Sequence, residues 1–154
     1  MRAMLLSAIL VGLAPASALA LDARIEQPLP SDANTEWAAV GDFCSIAKWH
    51  PAVAECQLSE RDGKTFRQLT LKNGAKLVER LEAQGPGMSY TYTIVEGPLP
   101  VKNYKSTISI APAGDKSVLT WVGTFESNGV PDAEAVTTIT GIYGAGAQAL
   151  ATAK

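Results

Sequence analysis

The side chains that could do chemistry in this 154-residue sequence are few, and they are not grouped. His50 is the only histidine, so neither a histidine pair nor a histidine-based metal cluster can form. Two cysteines and one histidine also fall short of the four ligands of a structural zinc site. No Ser-His-Asp spacing stands out, although a triad assembles in space and sequence alone does not exclude one. The pattern predicts no catalytic residue, no metal ligand and no cofactor, and it favours a structural or rim position for His50.

Composition narrows the functional classes further. The chain has 13 Lys and Arg against 15 Asp and Glu, a formal net charge of -2, and no cationic run. Binding to nucleic acid by phosphate neutralisation is therefore not expected. Hydrophobic residues make up 47% of the chain and charged residues 18%, which excludes overall disorder. Phosphate-binding glycine loops, dinucleotide fingerprints, zinc-protease motifs and serine-hydrolase elbows are absent from the sequence.

A cleavable secretory signal peptide is predicted over residues 1–20. The apolar run Leu5–Leu13 is followed by the helix breaker Pro15 and by a small-x-small cleavage site that ends at Ala20. A membrane anchor is the alternative, but this run is too short for the ~30 Å hydrocarbon layer of a bilayer. We therefore expect a single mature domain, residues 21–154, in the periplasm or secreted, without a stable membrane anchor.

Export changes the interpretation of the two cysteines. Cys44 and Cys56 both lie in the predicted mature chain, and an oxidising compartment favours a disulfide between them. Such a bridge would close a short loop and stabilise the fold by about 2–3 kcal/mol in the chain-entropy description. The alternative is a pair of buried free thiols. No Cys-x-x-Cys motif is present, so a thiol oxidoreductase is not expected.

The first helix of the mature chain is predicted from apolar spacing. After an extended segment over residues 21–30, apolar residues recur every three or four positions over Thr35–Phe43. Ser31 or Asn34 is the candidate amino-terminal cap, because both side chains can accept from free backbone N–H groups.

Two further helices are predicted. A short one contains Ile46 and Trp49 and ends before Pro51, because the residue before a proline avoids the helical conformation. A long one runs from Asp132 to about Ala151. Its apolar stripe is formed by Val136, Ile139, Tyr143, Ala147 and Leu150.

The long helix is unusual in containing Gly141, Gly144 and Gly146. Each glycine costs a helix up to ~1 kcal/mol relative to alanine. Their presence indicates either that the sheet or a ligand approaches closely, or that the helix is frayed at its end.

Between the helices the apolar period changes to two residues. This predicts strands near residues 53–59, 64–72, 76–83, 88–95, 103–111 and 116–126. Each strand alternates threonines and other polar residues with aromatic and aliphatic ones. This predicts a sheet with one face exposed to solvent and the other covered by protein. The covered face carries Tyr90, Tyr92, Ile108, Leu119, Trp121 and Phe125. The pattern favours the α+β class, with an antiparallel sheet covered on one side by the last helix.

The hairpin at Gly74 decides how two of these strands pair. A two-residue turn would place Arg67 opposite Arg80, like charge facing like. A three-residue turn with Gly74 in the left-handed conformation moves the partner of Leu69 from Val78 to Leu77 and brings Arg67 against Glu79. We choose the second register. It predicts an Arg–Glu pair on the covered face, either a structural ion pair or a polar anchor in an apolar pocket, in which an ionised Glu79 is a poor general base.

Short motifs along the mature chain occur in a particular order: Trp37 with Phe43, Trp49-His50-Pro51, Arg67-Gln-Leu-Thr-Leu71, Asn73-Gly74, Glu79-Arg-Leu81, Tyr90-Thr-Tyr92-Thr-Ile94, Gly97-Pro-Leu-Pro100, Asn103-Tyr104, Trp121 and Tyr143. In this order and spacing they resemble the polyketide cyclase/dehydrase and lipid-transport (SRPBCC) group of the START/Bet v 1-like superfamily. The resemblance covers nearly all of the mature chain. The exported branch of the family includes a periplasmic accessory protein of methanol oxidation, and this chain has a similar general layout.

The resemblance implies a helix-grip (Bet v 1-like) fold. In this fold a curved antiparallel sheet wraps a long carboxyl-terminal helix, two short helices close one end, and a cavity lies between sheet and helix. The residues expected to bind a ligand there are Trp49, His50, Arg67, Leu69, Glu79, Tyr90, Tyr92, Tyr104, Trp121 and Tyr143. The tyrosine hydroxyls would orient the ligand, or else serve only as core aromatics.

Three functions remain open at this stage. The preferred hypothesis is an exported binding or carrier domain for a small, mostly apolar molecule, which a cavity of several hundred Å³ would support. The second is an accessory protein that acts through a periplasmic protein partner and shows an exposed apolar patch. The third is a cyclase- or dehydratase-type enzyme, which the family name implies. It would need a titratable dyad in the cavity, and the sparse set of candidate residues weighs against it.

Overall fold

Antiparallel strands form a curved sheet around the carboxyl-terminal helix in the computed structural model, which describes residues 20–153. The predicted signal peptide, apart from its last residue, lies outside the described residues. The elements in chain order are β1 (Leu21–Leu29), α1 (Ala33–Val40), α2 (Ile46–Trp49), β2 (Val53–Arg61), β3 (Lys64–Leu71), β4 (Lys76–Gln84), β5 (Ser89–Glu96), β6 (Val101–Ala113), β7 (Lys116–Ser127) and α3 (Asp132–Thr152). The predicted α+β helix-grip fold is confirmed.

The sheet has the strand order β1-β7-β6-β5-β4-β3-β2, so β1 and β2 are its edges. The extended segment predicted over residues 21–30 is strand β1, which pairs antiparallel with β7. In β5, β6 and β7, the residues that alternation assigned to the covered face are the buried ones, so this prediction is confirmed. No helix within residues 20–153 is both long enough and apolar enough to cross a bilayer.

The predicted bounds and cap of α1 were wrong. The helix begins at Ala33, and its cap is Asp32, whose carboxylate accepts from the N–H groups of Asn34 and Thr35 at 3.0 and 3.2 Å. It ends at Val40, before the predicted end, since the Asp42 side chain accepts from the backbone N–H two residues later at 2.8 Å. Such a local side-chain turn competes with continuation of the helix.

The hairpin register chosen from charge and polarity is confirmed. The N–H of Leu71 donates to the carbonyl of Ala75 at 2.8 Å, and Gly74 has φ +85°, a conformation that favours glycine. Leu69 consequently pairs with Leu77, and two residues earlier the strands bring Arg67 opposite Glu79.

The predicted disulfide between Cys44 and Cys56 is also confirmed. It joins the connection between α1 and α2 to β2, at a residue that pairs with Leu69 in β3. Helix α2 is therefore held covalently against the edge of the sheet.

The core of the described residues consists of two clusters. The larger one includes the buried stripe of α3 with the inner faces of β5, β6 and β7, and the smaller one comprises Ile46, Val53, Leu69 and Leu77. The helix stripe is close to the predicted one, except that Ala135 is buried and Val136 only partly so. Partly buried residues that pack against both clusters are Trp49, Ile94 and Leu99.

Candidate functional site

A cavity of about 110 Å³ lies at the seam between the two core clusters, between the sheet and α3. Aliphatic and aromatic side chains form most of its wall. The lining residues are Ile46, His50, Ala52, Val53, Leu69, Leu71, Leu77, Glu79, Tyr92, Ile94, Leu99, Tyr104, Trp121, Ile139, Ile142 and Tyr143. Those that are partly or fully exposed include Ala52, Leu71, Leu99 and Ile142, which places the mouth beside α2 and the β5–β6 connection.

Hydroxyl groups form a buried hydrogen-bond network along one wall of the cavity. The hydroxyls of Tyr92 and Tyr104 are 3.2 Å apart, and those of Tyr104 and Tyr143 are 2.5 Å apart. Tyr143 continues the chain to the Ser106 hydroxyl at 2.9 Å. The indole N–H of Trp121 donates to Tyr92 and to Ser106, both at 3.1 Å.

The strands and α3 position this network from opposite sides. Tyr104 and Ser106 are alternate residues of β6 and therefore point to the same, inner face. The Tyr143 ring of α3 stacks on the Trp121 ring of β7, with centroids 4.4 Å apart and planes inclined by 12°. Gly123 of β7 permits this approach, because a Cβ at that position would overlap the Tyr143 hydroxyl.

Burial keeps the tyrosine hydroxyls of the network protonated. It raises the pKa of Tyr92 and of Tyr104 well above 10.0, and it raises the pKa of Tyr143 to about 12. At neutral pH these groups therefore act as hydrogen-bonding groups and not as bases.

His50 is held by backbone atoms on both sides of its ring. Its Nε2 lies 3.0 Å from the carbonyl oxygen of Ile142 in α3, and its Nδ1 accepts from the N–H of Ala52 at 3.2 Å. The two bonds define a neutral ring with the proton on Nε2. Burial lowers the pKa of His50, with the charge of Arg67 acting in the same direction and the bond to Ile142 opposing it. His50 therefore joins α2 to α3 and has no free nitrogen for proton transfer.

This arrangement predicts a loss of stability on acidification. The unfolded chain takes up a proton at His50 below its ordinary pKa of 6.5, whereas the folded chain resists it, so the free energy of unfolding falls as the pH drops below that value. At pH 5.5, one unit below the ordinary pKa, this loss of stability from His50 is at most about 1.4 kcal/mol. Urea unfolding of the protein and of His50→Gln at about pH 8 and about pH 5.5 measures it. An equal pH dependence in both proteins would contradict the assignment.

The predicted pair of Arg67 and Glu79 lies beside the cavity, with its carboxylate on the wall. The guanidinium Nε donates to Glu79 Oε2 at 2.5 Å, its Nη1 donates to the Phe43 carbonyl, and the Phe43 ring lies 4.1 Å from its Cζ. Burial raises the pKa of Glu79, and attraction to Arg67 partly offsets the rise. Burial works against the charge of Arg67, yet the Glu79 carboxylate raises the pKa of that guanidinium above its ordinary value.

The structure brings most of the predicted ligand-binding residues together. On the cavity wall are His50, Leu69, Glu79, Tyr92, Tyr104, Trp121 and Tyr143. Arg67 stands behind Glu79, and Trp49 stands behind His50, with its ring 5.9 Å from that of Trp121.

Tyr90 lies away from the cavity, although it is on the same strand face as Tyr92. Its ring packs at 6.1 Å from Trp37 of α1 and 5.6 Å from Phe43. Residues 33–43 thus cover one end of the inner sheet face and leave the other end for the cavity.

Only one of the three helix glycines explains a close approach. A Cβ at Gly146 would lie 2.6 Å from His50 and 3.0 Å from both Trp121 and Trp49. Nothing lies within 4 Å of such an atom at Gly141 or Gly144, so the expectation of close approach fails at those two positions. The helix is continuous through all three, which excludes fraying as their cause.

Several lining residues were not singled out from the sequence. Leu77 and Ile94 lie on the covered strand faces that alternation predicts, but they were not among the residues expected to bind a ligand. Leu99 lies in a connection and Ile142 lies beside the apolar stripe of α3, so their positions carry no periodic signal.

The sequence and the fold can be compared with those of known proteins. The XoxI protein of Bacillus cereus is 32% identical, with a TM-score of 0.80, over 84% of this chain and 92% of that one. An uncharacterised protein of Bacillus thuringiensis is also 32% identical, with a TM-score of 0.78, over 86% of this chain and 96% of the other. An aromatase/cyclase from a Streptomyces species shares the fold, with a TM-score of 0.66 at 12% identity over 85% and 88% of the two chains.

A search of curated proteins found no significant match. A family described as polyketide cyclase / dehydrase and lipid transport matches residues 23–153, almost all of the described domain. The chain therefore belongs to the polyketide cyclase/dehydrase and lipid-transport family.

Proposed function

We propose that this protein is an exported binding domain that holds a small, mostly apolar molecule between the sheet and α3. The apolar cavity of about 110 Å³ carries the proposal. Close-packed interiors leave few voids larger than a water molecule. Apolar cavities of about 150 Å³ can bind benzene, so a cavity of about 110 Å³ limits the ligand to the size of a single ring or less. The cavity is smaller than the several hundred Å³ expected from the sequence, and Tyr90 is not among its lining residues.

Binding of benzene tests the proposal. We expect saturable binding in ligand-detected NMR and a rise in melting temperature with benzene concentration, since a ligand of the native state stabilises it by mass action. The Ile94→Phe variant should weaken binding, because Ile94 lines the cavity. Val95→Phe is the matched control, since the next residue of β5 is exposed on the other face. Absence of binding, or equal weakening by both variants, would refute the proposal.

The accessory and enzymatic alternatives receive less support. The large hydrophobic side chains exposed within residues 20–153 are Leu58 of β2 and Val95 of β5, on strands that β3 and β4 separate. They do not form the contiguous patch that a protein partner would need. An enzyme would use Glu79, the one carboxylate on the described cavity wall, but His50 on the same wall has both nitrogens bonded to the backbone.

Export is tested by the mass of the protein recovered from its native host. We expect a chain that begins at Leu21 and gains two hydrogens on reduction of its disulfide. Its recovery from the periplasm or medium is the matching fractionation result. An unprocessed chain in the cytosol would contradict the proposed location, and two free thiols on a processed chain would contradict the bridge.

A further inference from the structure

The hydroxyl network on the cavity wall has only one possible proton order. The Ser106 hydroxyl donates its single proton to the carbonyl of Val122 at 2.7 Å. In its contact with Tyr143 it must therefore be the acceptor, and Tyr143 the donor. Each hydroxyl has one proton, so the same argument applies to the next two contacts. Tyr104 donates to Tyr143, and Tyr92 donates to Tyr104.

The N–H groups of the other polar side chains on the wall also donate to acceptors within the protein. The Trp121 N–H donates to Tyr92 and Ser106, and the His50 Nε2–H donates to the Ile142 carbonyl. Thus every side-chain donor that residues 20–153 place on the cavity wall already has an acceptor, and Arg67 Nη2, which has none, lies behind Glu79 and not on the wall. The groups on the wall that can still form a hydrogen bond with a ligand are acceptors. They are the Glu79 carboxylate and the lone pairs of the tyrosine oxygens.

A ligand that presents only acceptors would find no partner on this wall, and burial of an unpaired polar group is costly. The charge of Glu79 is balanced by Arg67, so the wall does not select a cation. We infer that the cavity is selective for a neutral, single-ring-sized molecule that carries a hydrogen-bond donor, an O–H or N–H group, on an otherwise apolar body. This inference rests on the proposed binding function and specifies its ligand class.

Pyrrole and furan test the inference, because they have the same ring size while only pyrrole carries a donor. We expect pyrrole to bind about 3- to 10-fold more tightly than furan, the range of one net hydrogen bond. In a cavity without a free acceptor, pyrrole would be the weaker ligand, since its N–H would lose its hydrogen bond to water. Dissociation constants are measured for both by NMR titration of the oxidised protein, with benzene as reference.

Two phenylalanine variants test the direction of the chain. Tyr104→Phe removes the acceptor of Tyr92 and so frees a donor, which should reduce the preference for pyrrole over furan at least about 3-fold. Tyr92→Phe frees no donor, and the acceptor that it removes is replaced by the lone pair of Tyr104 to which Tyr92 donated, so the preference should remain. Each result is the ratio of the dissociation constants of two ligands for one protein. A general loosening of the cavity would change both constants and leave their ratio unaltered. Tyr143→Phe, which frees the proton of Tyr104, replaces Tyr104→Phe if that variant does not fold.

The outcomes separate this inference from the proposed function. If benzene, pyrrole and furan all fail to bind, the binding function itself is refuted. If benzene binds while furan binds as tightly as pyrrole, the cavity is a binding site and the donor selectivity is wrong. An unchanged ratio in Tyr104→Phe, or an equal fall in Tyr92→Phe, would overturn the proton order.

Discussion

Removal of one charge from the Arg67–Glu79 pair is expected to lower the free energy of unfolding by about 3–5 kcal/mol, because the partner is left charged and unpaired in the interior. Arg67 is 0% exposed and Glu79 is 4% exposed, so water cannot replace the missing partner. The Arg67→Met, Glu79→Leu double variant should lose less than the sum of the two single losses. It should still lie about 1–3 kcal/mol below the wild type, since the Phe43 carbonyl also loses its donor.

Urea unfolding of the four proteins forms a double-mutant cycle that measures this coupling. Lys102→Met is the control, because the Lys102–Glu126 pair has a distance of 3.3 Å but side chains that are 55% and 27% exposed. We expect a loss of less than about 1 kcal/mol there. Additive losses in the Arg67–Glu79 cycle would show that the two charges do not interact.

Gly146→Ala is expected to destabilise the protein by about 1–3 kcal/mol, although alanine is the better helix former. The added Cβ would lie 2.6 Å from Cδ2 of His50 and 3.0 Å from ring atoms of Trp49 and Trp121. These rings cannot simply turn away: His50 has hydrogen bonds at both nitrogens, and Trp121 is stacked and hydrogen-bonded. The substitution should also weaken benzene binding, because His50 and Trp121 are part of the cavity wall.

Gly144→Ala provides the matched comparison in the same helix. No atom lies within 4 Å of its added Cβ, so the helix preference for alanine should raise stability by up to about 1 kcal/mol. Thermal unfolding of both variants should therefore give shifts of opposite sign. A stabilised Gly146→Ala protein would mean that the contact between α2 and α3 is loose.

Much of the fold could be predicted because strand alternation and charge act locally. The choice between the two hairpin registers rested on Arg67 facing either Arg80 or Glu79, and only one register avoids like charges on the buried face. The disulfide followed from two cysteines and the predicted export. The sequence does not identify the cap of α1, because Ser31, Asp32 and Asn34 all have side chains suited to that role. The backbone geometry of the folded chain selects Asp32.

The position and the size of the cavity could not be predicted from local sequence patterns. Tyr90 and Tyr92 share a strand face, and alternation cannot show that Phe43 covers the first and leaves the second open. The size of the cavity depends on how fully side chains from distant segments fill the space, as Leu99 and Ile142 show. The glycines of α3 look alike in sequence, and only Gly146 faces another element.

The seam between the two core clusters has a mechanical consequence. On the side of β2–β4, the disulfide fixes the start of α2 to the edge strand of the sheet, against the smaller cluster. Packing is interrupted where it meets the larger cluster, and the direct links there include Trp49, Ile94 and Leu99. A molecule in the cavity would touch both sides of this boundary and add contacts across it. Occupancy would thus couple the packing of the two clusters, so that local opening of either side would require release of the bound molecule.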